Sequence, residues 1–247
     1  MFNKLLIFII LSFIGLISVQ AKVLLTTGDY PPYTGKHLAQ QGIVTYIISQ
    51  VFKKTDTSIE VAFMPWKRAE SYTESGKALA VFPYIFKTKE RLKHYEFSAP
   101  IISSQYALFT GKSDLVQQNY LDVESVTLCN ALGYSMKPIQ KWLKTNHISV
   151  IKLNDMRDCL KALKSKKVDL VFLDTIAAKA FMQEIFGNTD ALFQMKPSIL
   201  HTDYFLMFSK KYPNYKNYLK IFNATINNMR DSGHLDKIIK NYWNISR

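Results

Sequence analysis

Apolar residues in the first third of the chain follow two different periods. Three short apolar runs have the length of β-strands: 23–27, 58–63 and 79–84. Between them, apolar positions repeat every three or four residues over about 43–52 and 65–76, which predicts two amphipathic helices. Pro65 suits the first turn of the second helix. The order β-loop-α-β-α-β predicts an α/β unit with a largely parallel sheet.

The rest of the chain repeats this alternation. Apolar runs predict strands at 101–109, 126–129, 148–153, 168–173 and 204–208. Helical periodicity predicts helices at about 133–144, 156–163, 175–186, 214–230 and 232–243. Residues 110–114 break the strand predicted at 101–109, and the last two helices belong to neither α/β unit. We therefore expect two α/β lobes joined by a two-strand hinge, with 22–108 and 205–247 in lobe one and 109–204 in lobe two.

The amino terminus differs from everything that follows. Residues 1–21 combine a short basic start, an apolar run from Leu5 to Val19 and small residues before Lys22, which is typical of a secretory signal peptide. No later stretch is long enough to span a membrane. The 247-residue chain carries a formal net charge of +13. Because an exported protein does not normally meet nucleic acid, we interpret this charge as a solvated basic surface.

The chain contains two cysteines, Cys129 and Cys159. In an oxidising compartment such a pair favours a disulfide over two free thiols. We therefore predict that they are bonded and join a strand of lobe two to a neighbouring helix.

Candidate binding residues follow the predicted strands. Ligands of α/β proteins bind at the carboxyl ends of strands, and the loops there carry an Arg, an Asp and several aromatic residues: Tyr30, Trp66, Tyr84, Phe86, Arg91, Tyr134, Ser135 and Asp174. Thr88 suits an N-cap, which places Arg91 one turn into a helix, and its planar fork matches a carboxylate. The alternative is that Arg91 is a solvated charge among neighbouring lysines.

Several short motifs, in this order and spacing, resemble bacterial periplasmic solute-binding proteins of family 3, the polar-amino-acid group. The motifs are Tyr30-Pro31-Pro32-Tyr33, Thr88-Lys89-Glu90-Arg91, Phe97-Ser98-Ala99-Pro100, Gly133-Tyr134-Ser135, Val168-Asp169-Leu170 to Asp174, and Gly233-His234-Leu235 to Asn241-Tyr242-Trp243. The resemblance covers nearly all of the chain after residue 21. It implies a periplasmic protein, expected as a monomer, that delivers a small solute to an inner-membrane ABC permease.

The resemblance also implies roles for single residues. Arg91 would bind a ligand carboxylate together with the backbone N–H groups of Tyr134 and Ser135, and Asp174 would bind the ammonium group. Tyr30 and Trp66 would sandwich the side chain. The chain departs from the family at three positions where small hydroxyl residues are common: Pro83, Tyr84 and Phe86. Unless these rings pack inside the lobe, the pocket is unusually aromatic and favours aromatic or cationic amino acids or related amines.

Other functions stay open as alternatives. The same fold resembles periplasmic cyclohexadienyl dehydratases and the non-catalytic module of some lytic transglycosylases, and a chemosensory ligand-binding protein would share the site. A dehydratase needs a cleft acid or base, for which Asp29, Glu70, Glu90 and Asp174 are available. The five histidines lack metal-ligand spacing, and no nucleotide-binding motif is present. We therefore expect a binding protein without enzymatic activity, metal or cofactor.

Overall fold

The computed structural model describes residues 22–245 of the chain, and for 243–245 the backbone alone. The predicted signal peptide at 1–21 lies outside the described residues. The strands are β1 Val23–Thr27, β2 Ile59–Phe63, β3 Ala80–Tyr84, β4 Tyr95–Phe97, β5 Ile102–Thr110, β6 Thr127–Ala131, β7 Ser149–Leu153, β8 Leu170–Asp174, β9 Phe193–Gln194 and β10 Leu200–Ser209. The helices are α1 Ile43–Lys53, α2 Trp66–Glu74, α3 Lys89–His94, α4 Ser113–Val116, α5 Gln140–Thr145, α6 Met156–Lys164, α7 Thr175–Phe186, α8 Tyr215–Asp231 and α9 His234–Ile245.

The strands run in the order β2-β1-β3-β10-β5-β8-β6-β7, with β4 beside β10 and β9 beside β5. Strand β10 joins the two halves of this order, because 205–208 pair with β3 and 200–204 pair with β5. The farther part of β5, 106–109, pairs with β8. The α/β architecture with two connecting strands confirms the predicted fold class, although β4, β5, β9 and β10 are antiparallel to their partners, so the sheet is less parallel than expected.

The carboxyl-terminal helices pack on the first half of the chain. Both α8 and α9 contact α1, and the rings of Phe52 and Phe222 lie 5.7 Å apart between centroids. These apolar contacts return the end of the chain to the β1–β3 side of the molecule. On the other side, Cys129 of β6 and Cys159 of α6 form a disulfide with their Cα atoms 5.5 Å apart, which confirms the predicted pairing.

The structure corrects one local prediction. The helix predicted from Gly133 begins later: a 3-10 turn spans Lys137–Ile139 and α5 begins at Gln140. Pro138 lacks an N–H and is tolerated only in the first turn of a helix, so it fixes the start near itself. Pro83 is the penultimate residue of the central strand β3 and lies opposite the register shift of β10 between Phe205 and Met207, where the regular ladder is interrupted.

Candidate functional site

A cavity of about 340 Å³ lies between the two halves of the sheet, at the carboxyl ends of β3 and β6. Seven of the eight residues predicted to bind a ligand line it: Tyr30, Trp66, Tyr84, Phe86, Arg91, Tyr134 and Ser135. Tyr84 and Phe86 therefore face the cavity and do not both pack inside the lobe. Eight further lining residues were not among the predicted ligand contacts: Lys67, Glu70, Pro83, Ile85, Tyr106, Gly133, Phe172 and Tyr204.

Trp66 lies between Gly28 on one side and Gly133 on the other. A Cβ atom at Gly28 would lie 2.6 Å from the indole, so only glycine permits this approach. On the opposite side, a Cβ at Gly133 would lie 3.6 Å from the same ring. The rings of Tyr30 and Tyr134 also meet across the gap, edge to face, with centroids 5.5 Å apart. Aromatic surfaces from both halves therefore enclose the cavity.

Arg91 is held in place by three groups of the cavity wall. Its Nε and Nη2 atoms donate to the two carboxylate oxygens of Glu70 at 2.8 and 3.4 Å, and its Nη1 donates to the carbonyl of Phe86 at 3.3 Å. Its guanidinium lies 4.3 Å from the ring centroid of Tyr84. Thr88 accepts the backbone N–H of Arg91, which confirms the predicted N-cap. Of the five N–H groups of the guanidinium, two have no partner within residues 22–245.

Glu70 is the functional candidate that sequence reasoning did not assign to the ligand. It follows Trp66 by four residues in α2, a spacing that places both side chains on one face of a helix. The hydroxyl of Tyr84 donates to its Oε2 at 3.3 Å. Since many helices contain such a pair of positions, the spacing alone could not identify Glu70 as a lining residue.

The hydroxyl groups of three tyrosines that line the cavity lie within hydrogen-bond distance of one another. The oxygens of Tyr30 and Tyr106 are 3.0 Å apart, those of Tyr106 and Tyr204 are 3.0 Å apart, and Tyr204 and Tyr30 complete the triangle at 3.2 Å. Burial is the largest cause that raises the pKa of each of these hydroxyls above its ordinary value. They therefore stay protonated at neutral pH and can donate hydrogen bonds.

Asp174 contacts one of these hydroxyls, that of Tyr204, and does not itself line the cavity. Its side chain is completely buried. Oδ1 accepts the Tyr33 hydroxyl at 2.8 Å and the backbone N–H groups of Ile176 and Ala177 at 2.9 Å each, which makes Asp174 the N-cap of α7. The hydroxyls of Ser104 and Tyr204 donate to its Oδ2. Burial raises the pKa of this carboxyl, while the donors act in the opposite direction.

The turn after β6 differs from its predicted role, which was to direct the backbone N–H groups of Tyr134 and Ser135 at a ligand carboxylate. The N–H of Tyr134 donates to the carbonyl of Ala131 at 3.1 Å and closes a turn, so it is not directed at a ligand. Ser135 lines the cavity, and its predicted contact with a ligand stays a prediction. The short helix begins after both residues, so their positions are not the helix start that the sequence suggested.

Two classes of feature are absent from the part of the chain that the structure describes. No group of three or more His, Cys, Asp or Glu side chains within 22–245 is placed to hold a metal ion. No helix among those residues is long and apolar enough to cross a membrane.

Comparison with known proteins identifies a matching family, a related sequence and solved structures with a similar fold. A family model described as bacterial extracellular solute-binding proteins, family 3, matches residues 23–245. A protein of Campylobacter jejuni named as a probable histidine-binding protein is 24% identical over 218 residues, covering 88% of this chain and 82% of its own. An amino acid ABC transporter substrate-binding protein of Streptococcus pneumoniae, solved with L-arginine, superposes with a TM-score of 0.72 at 22% identity, covering 91% of this chain and 95% of its own. An ancestral amino acid-binding protein, described as a precursor of cyclohexadienyl dehydratase, superposes with a TM-score of 0.70 at 19% identity, covering 89% of this chain and 95% of its own.

Proposed function

The chain belongs to the bacterial extracellular solute-binding proteins of family 3, and we propose that it binds an amino acid or related amine between its lobes and delivers it to an ABC transporter. The observation that carries this proposal is the cavity of about 340 Å³ with Arg91 and several aromatic rings in its wall. Its volume lies at the small end of ligand pockets, which run from about 300 to 1,000 Å³. Such a space suits a single amino acid better than a peptide or an oligosaccharide.

In this proposal, Arg91 binds the carboxylate of the ligand. The two N–H groups that Glu70 and Phe86 leave unused are available for it, and a charge-assisted bond from guanidinium to carboxylate is roughly twice as strong as a neutral one. The side chain of the ligand then lies against Trp66 and Tyr84, whose rings meet edge to face with centroids 5.9 Å apart. Flat or cationic side chains gain most from such a surface.

Asp174 has a different role in this proposal from the one expected for it. Five donors already reach its two oxygens, whereas a carboxylate offers about four lone-pair sites. An ammonium group would have to displace a hydroxyl or a backbone N–H of α7. We therefore assign Asp174 to the support of the strands that connect the lobes, and not to the ligand.

A binding role is favoured over the dehydratase alternative. Glu70 is the one carboxylate among the described residues that line the cavity, and Arg91 donates to both of its oxygens. Among those lining residues there is no second carboxylate and no histidine to act as its partner in proton exchange with a substrate. Chromatography of the ligand after prolonged incubation with the protein tests this choice, because a binding protein returns it unchanged.

A thermal-shift screen of amino acids, amines and aromatic acids tests the proposed function. A ligand present at 100 times its dissociation constant should stabilise the protein by about 2.7 kcal/mol. We expect aromatic or cationic amino acids to raise the melting temperature, and serine and aspartate to leave it nearly unchanged. Micromolar affinity for acidic amino acids alone would contradict the proposed ligand class.

Export and delivery need separate measurements. We propose that residues 1–21 direct the chain to the periplasm, and amino-terminal sequencing of the exported protein should then begin near Lys22. Delivery predicts that cells lacking the protein lose uptake of the labelled ligand. Normal uptake together with a lost chemotactic response would instead support the chemosensory alternative.

A further inference from the structure

We propose that Glu70 binds the ammonium group of the ligand, so that Glu70 and Arg91 together recognise both charged ends of an amino acid. This inference rests on the proposed function and specifies how the cavity selects its ligand. Both residues belong to the first lobe, Glu70 on α2 and Arg91 on α3.

The hydrogen bonds of Glu70 leave room for such a ligand. Its Oε1 accepts one bond, from Arg91 Nε, whereas its Oε2 accepts two, from Arg91 Nη2 and the Tyr84 hydroxyl. Because each carboxylate oxygen offers about two lone-pair sites, Oε1 keeps one acceptor site. The side chain is 29% exposed, so a ligand can approach it from the cavity.

The surroundings of Glu70 favour a cation at this place. The rings of Trp66 and Tyr84 line the same wall and present apolar surface that limits competition by water. Arg91 is already paired, so it opposes a second cation less than a free guanidinium would. Lys67 also lines the cavity but is exposed, and solvent screens its charge.

The ion pair between Glu70 and Arg91 also predicts a penalty for acids that lack an amine. The carboxylate of Glu70 already accepts from Nε and Nη2 of Arg91, so a ligand carboxylate on the two remaining N–H groups meets a partly neutralised guanidinium and a second negative charge nearby. An amino acid offsets this penalty by giving Glu70 a new cationic partner. A simple carboxylic acid of the same shape cannot do so.

The test compares each of three amino acids with its deaminated acid by isothermal titration calorimetry. The pairs are L-phenylalanine with 3-phenylpropanoate, L-histidine with 3-(imidazol-4-yl)propanoate, and L-arginine with 5-guanidinopentanoate. The proteins are the wild type, Glu70→Gln and Glu74→Gln. Glu74 is the matched control because it lies one turn further along α2 beside His94, outside the cavity lining.

We expect the wild type to prefer the amino acid of at least one pair over its deaminated partner. In Glu70→Gln this preference should fall about tenfold or more, since a hydrogen bond to a charged group is lost, and the affinity for the deaminated acid should rise because Arg91 is released. Glu74→Gln should keep the wild-type preference. Circular dichroism confirms that each variant is folded.

Two other outcomes would overturn the inference and are distinguishable from each other. If Glu70→Gln keeps the wild-type preference, Glu70 does not bind the ammonium group although the proposed function stands. The same conclusion follows if Asp174→Asn, as a folded protein, loses the preference instead. If neither the three amino acids nor any amino acid or amine of the thermal-shift screen binds the wild type, the proposed function fails together with this inference.

Discussion

Glu70 is a carboxylate that lines the cavity and Asp174 is one that lies behind its lining, hydrogen-bonded to Tyr204, and their surroundings are opposite. Asp174 is completely buried and accepts hydrogen bonds from three hydroxyls and two backbone N–H groups. Glu70 is part-exposed, lines the cavity and is paired with one guanidinium and one hydroxyl. The same functional group therefore serves structure in one place and is accessible to a ligand in the other.

This difference has an energetic origin. Burying an ionised carboxylate costs several kcal/mol unless donors replace the lost water, by order-of-magnitude estimates for buried ions. At Asp174 the chain supplies those donors from Tyr33, from Ser104 of β5, from Tyr204 of β10 and from two backbone N–H groups of α7. A carboxylate that has been satisfied so completely by the protein has little left to offer a ligand.

The largest effect that we expect is on stability, from Asp174→Ala. Removal of the N-cap of α7 and of the acceptor for three hydroxyls should lower the free energy of unfolding by about 3 kcal/mol or more. Urea denaturation measures this loss. Asp155→Ala is the matched control, because Asp155 caps α6 through the N–H of Arg157 but is half-exposed, and it should cost only about 1 kcal/mol. Equal losses in the two variants would contradict a structural role specific to Asp174.

The next effect is on affinity, from Arg91→Ala. Loss of the guanidinium should weaken binding of the amino acid identified in the screen by about 100-fold, or about 2.7 kcal/mol. Arg91→Lys should recover only part of this, since an ammonium cannot form the planar fork. Lys93→Ala, on the same helix but exposed and paired with Glu90, should bind like the wild type. Wild-type affinity in Arg91→Ala would show that the carboxylate binds elsewhere.

The contrast between the two carboxylates also marks the limit of what the sequence could predict. The Thr88 cap and the strand end of β3 are local features, and they located Arg91 correctly at the cavity. The donors of Asp174 could not be inferred, because Tyr33, Ser104 and Tyr204 are 141, 70 and 30 residues away from it along the chain. The ion pair of Arg91 with Glu70 likewise joins different elements, and periodicity does not report contacts of this kind.

Two aromatic substitutions should give a smaller and graded loss of affinity. Trp66→Ala removes the ring that fills the gap between Gly28 and Gly133, and we expect binding to weaken by about 1.4 kcal/mol or more, which is at least tenfold. Phe86→Ala removes one ring from the cavity wall and should cost less than Trp66→Ala. The control is Phe193→Ala, because Phe193 lies 46% exposed on β9. Binding that is insensitive to Phe86→Ala would mean that Phe86 packs in the wall without touching the ligand.

The smallest expected effect comes from Tyr204→Phe, which removes one donor from Asp174 and keeps the ring. Four donors remain on Asp174, so the free energy of unfolding at neutral pH should fall by only about 1 kcal/mol. Tyr106→Phe is a suitable comparison, because its hydroxyl contacts Tyr30 and Tyr204 but not Asp174. A loss in the free energy of unfolding as large as that in Asp174→Ala would show that Asp174 needs all of its donors together and does not tolerate the loss of one.

The loss of stability in Tyr204→Phe should depend on pH, and the direction of this dependence is a further test. Burial raises the pKa of Asp174 above its ordinary value near 3.8, and the Tyr204 hydroxyl acts against that rise, so the substitution should raise the pKa further. A carboxyl whose pKa is higher in the folded state binds its proton more readily there, so its contribution to stability increases as the pH falls through the folded pKa towards the ordinary one. The penalty of Tyr204→Phe should therefore be largest at neutral pH and shrink in acid, whereas that of Tyr106→Phe should change less. Urea denaturation of both variants across this range checks the difference, and a penalty for Tyr204→Phe that grows in acid would exclude the ionised form of Asp174 as the acceptor.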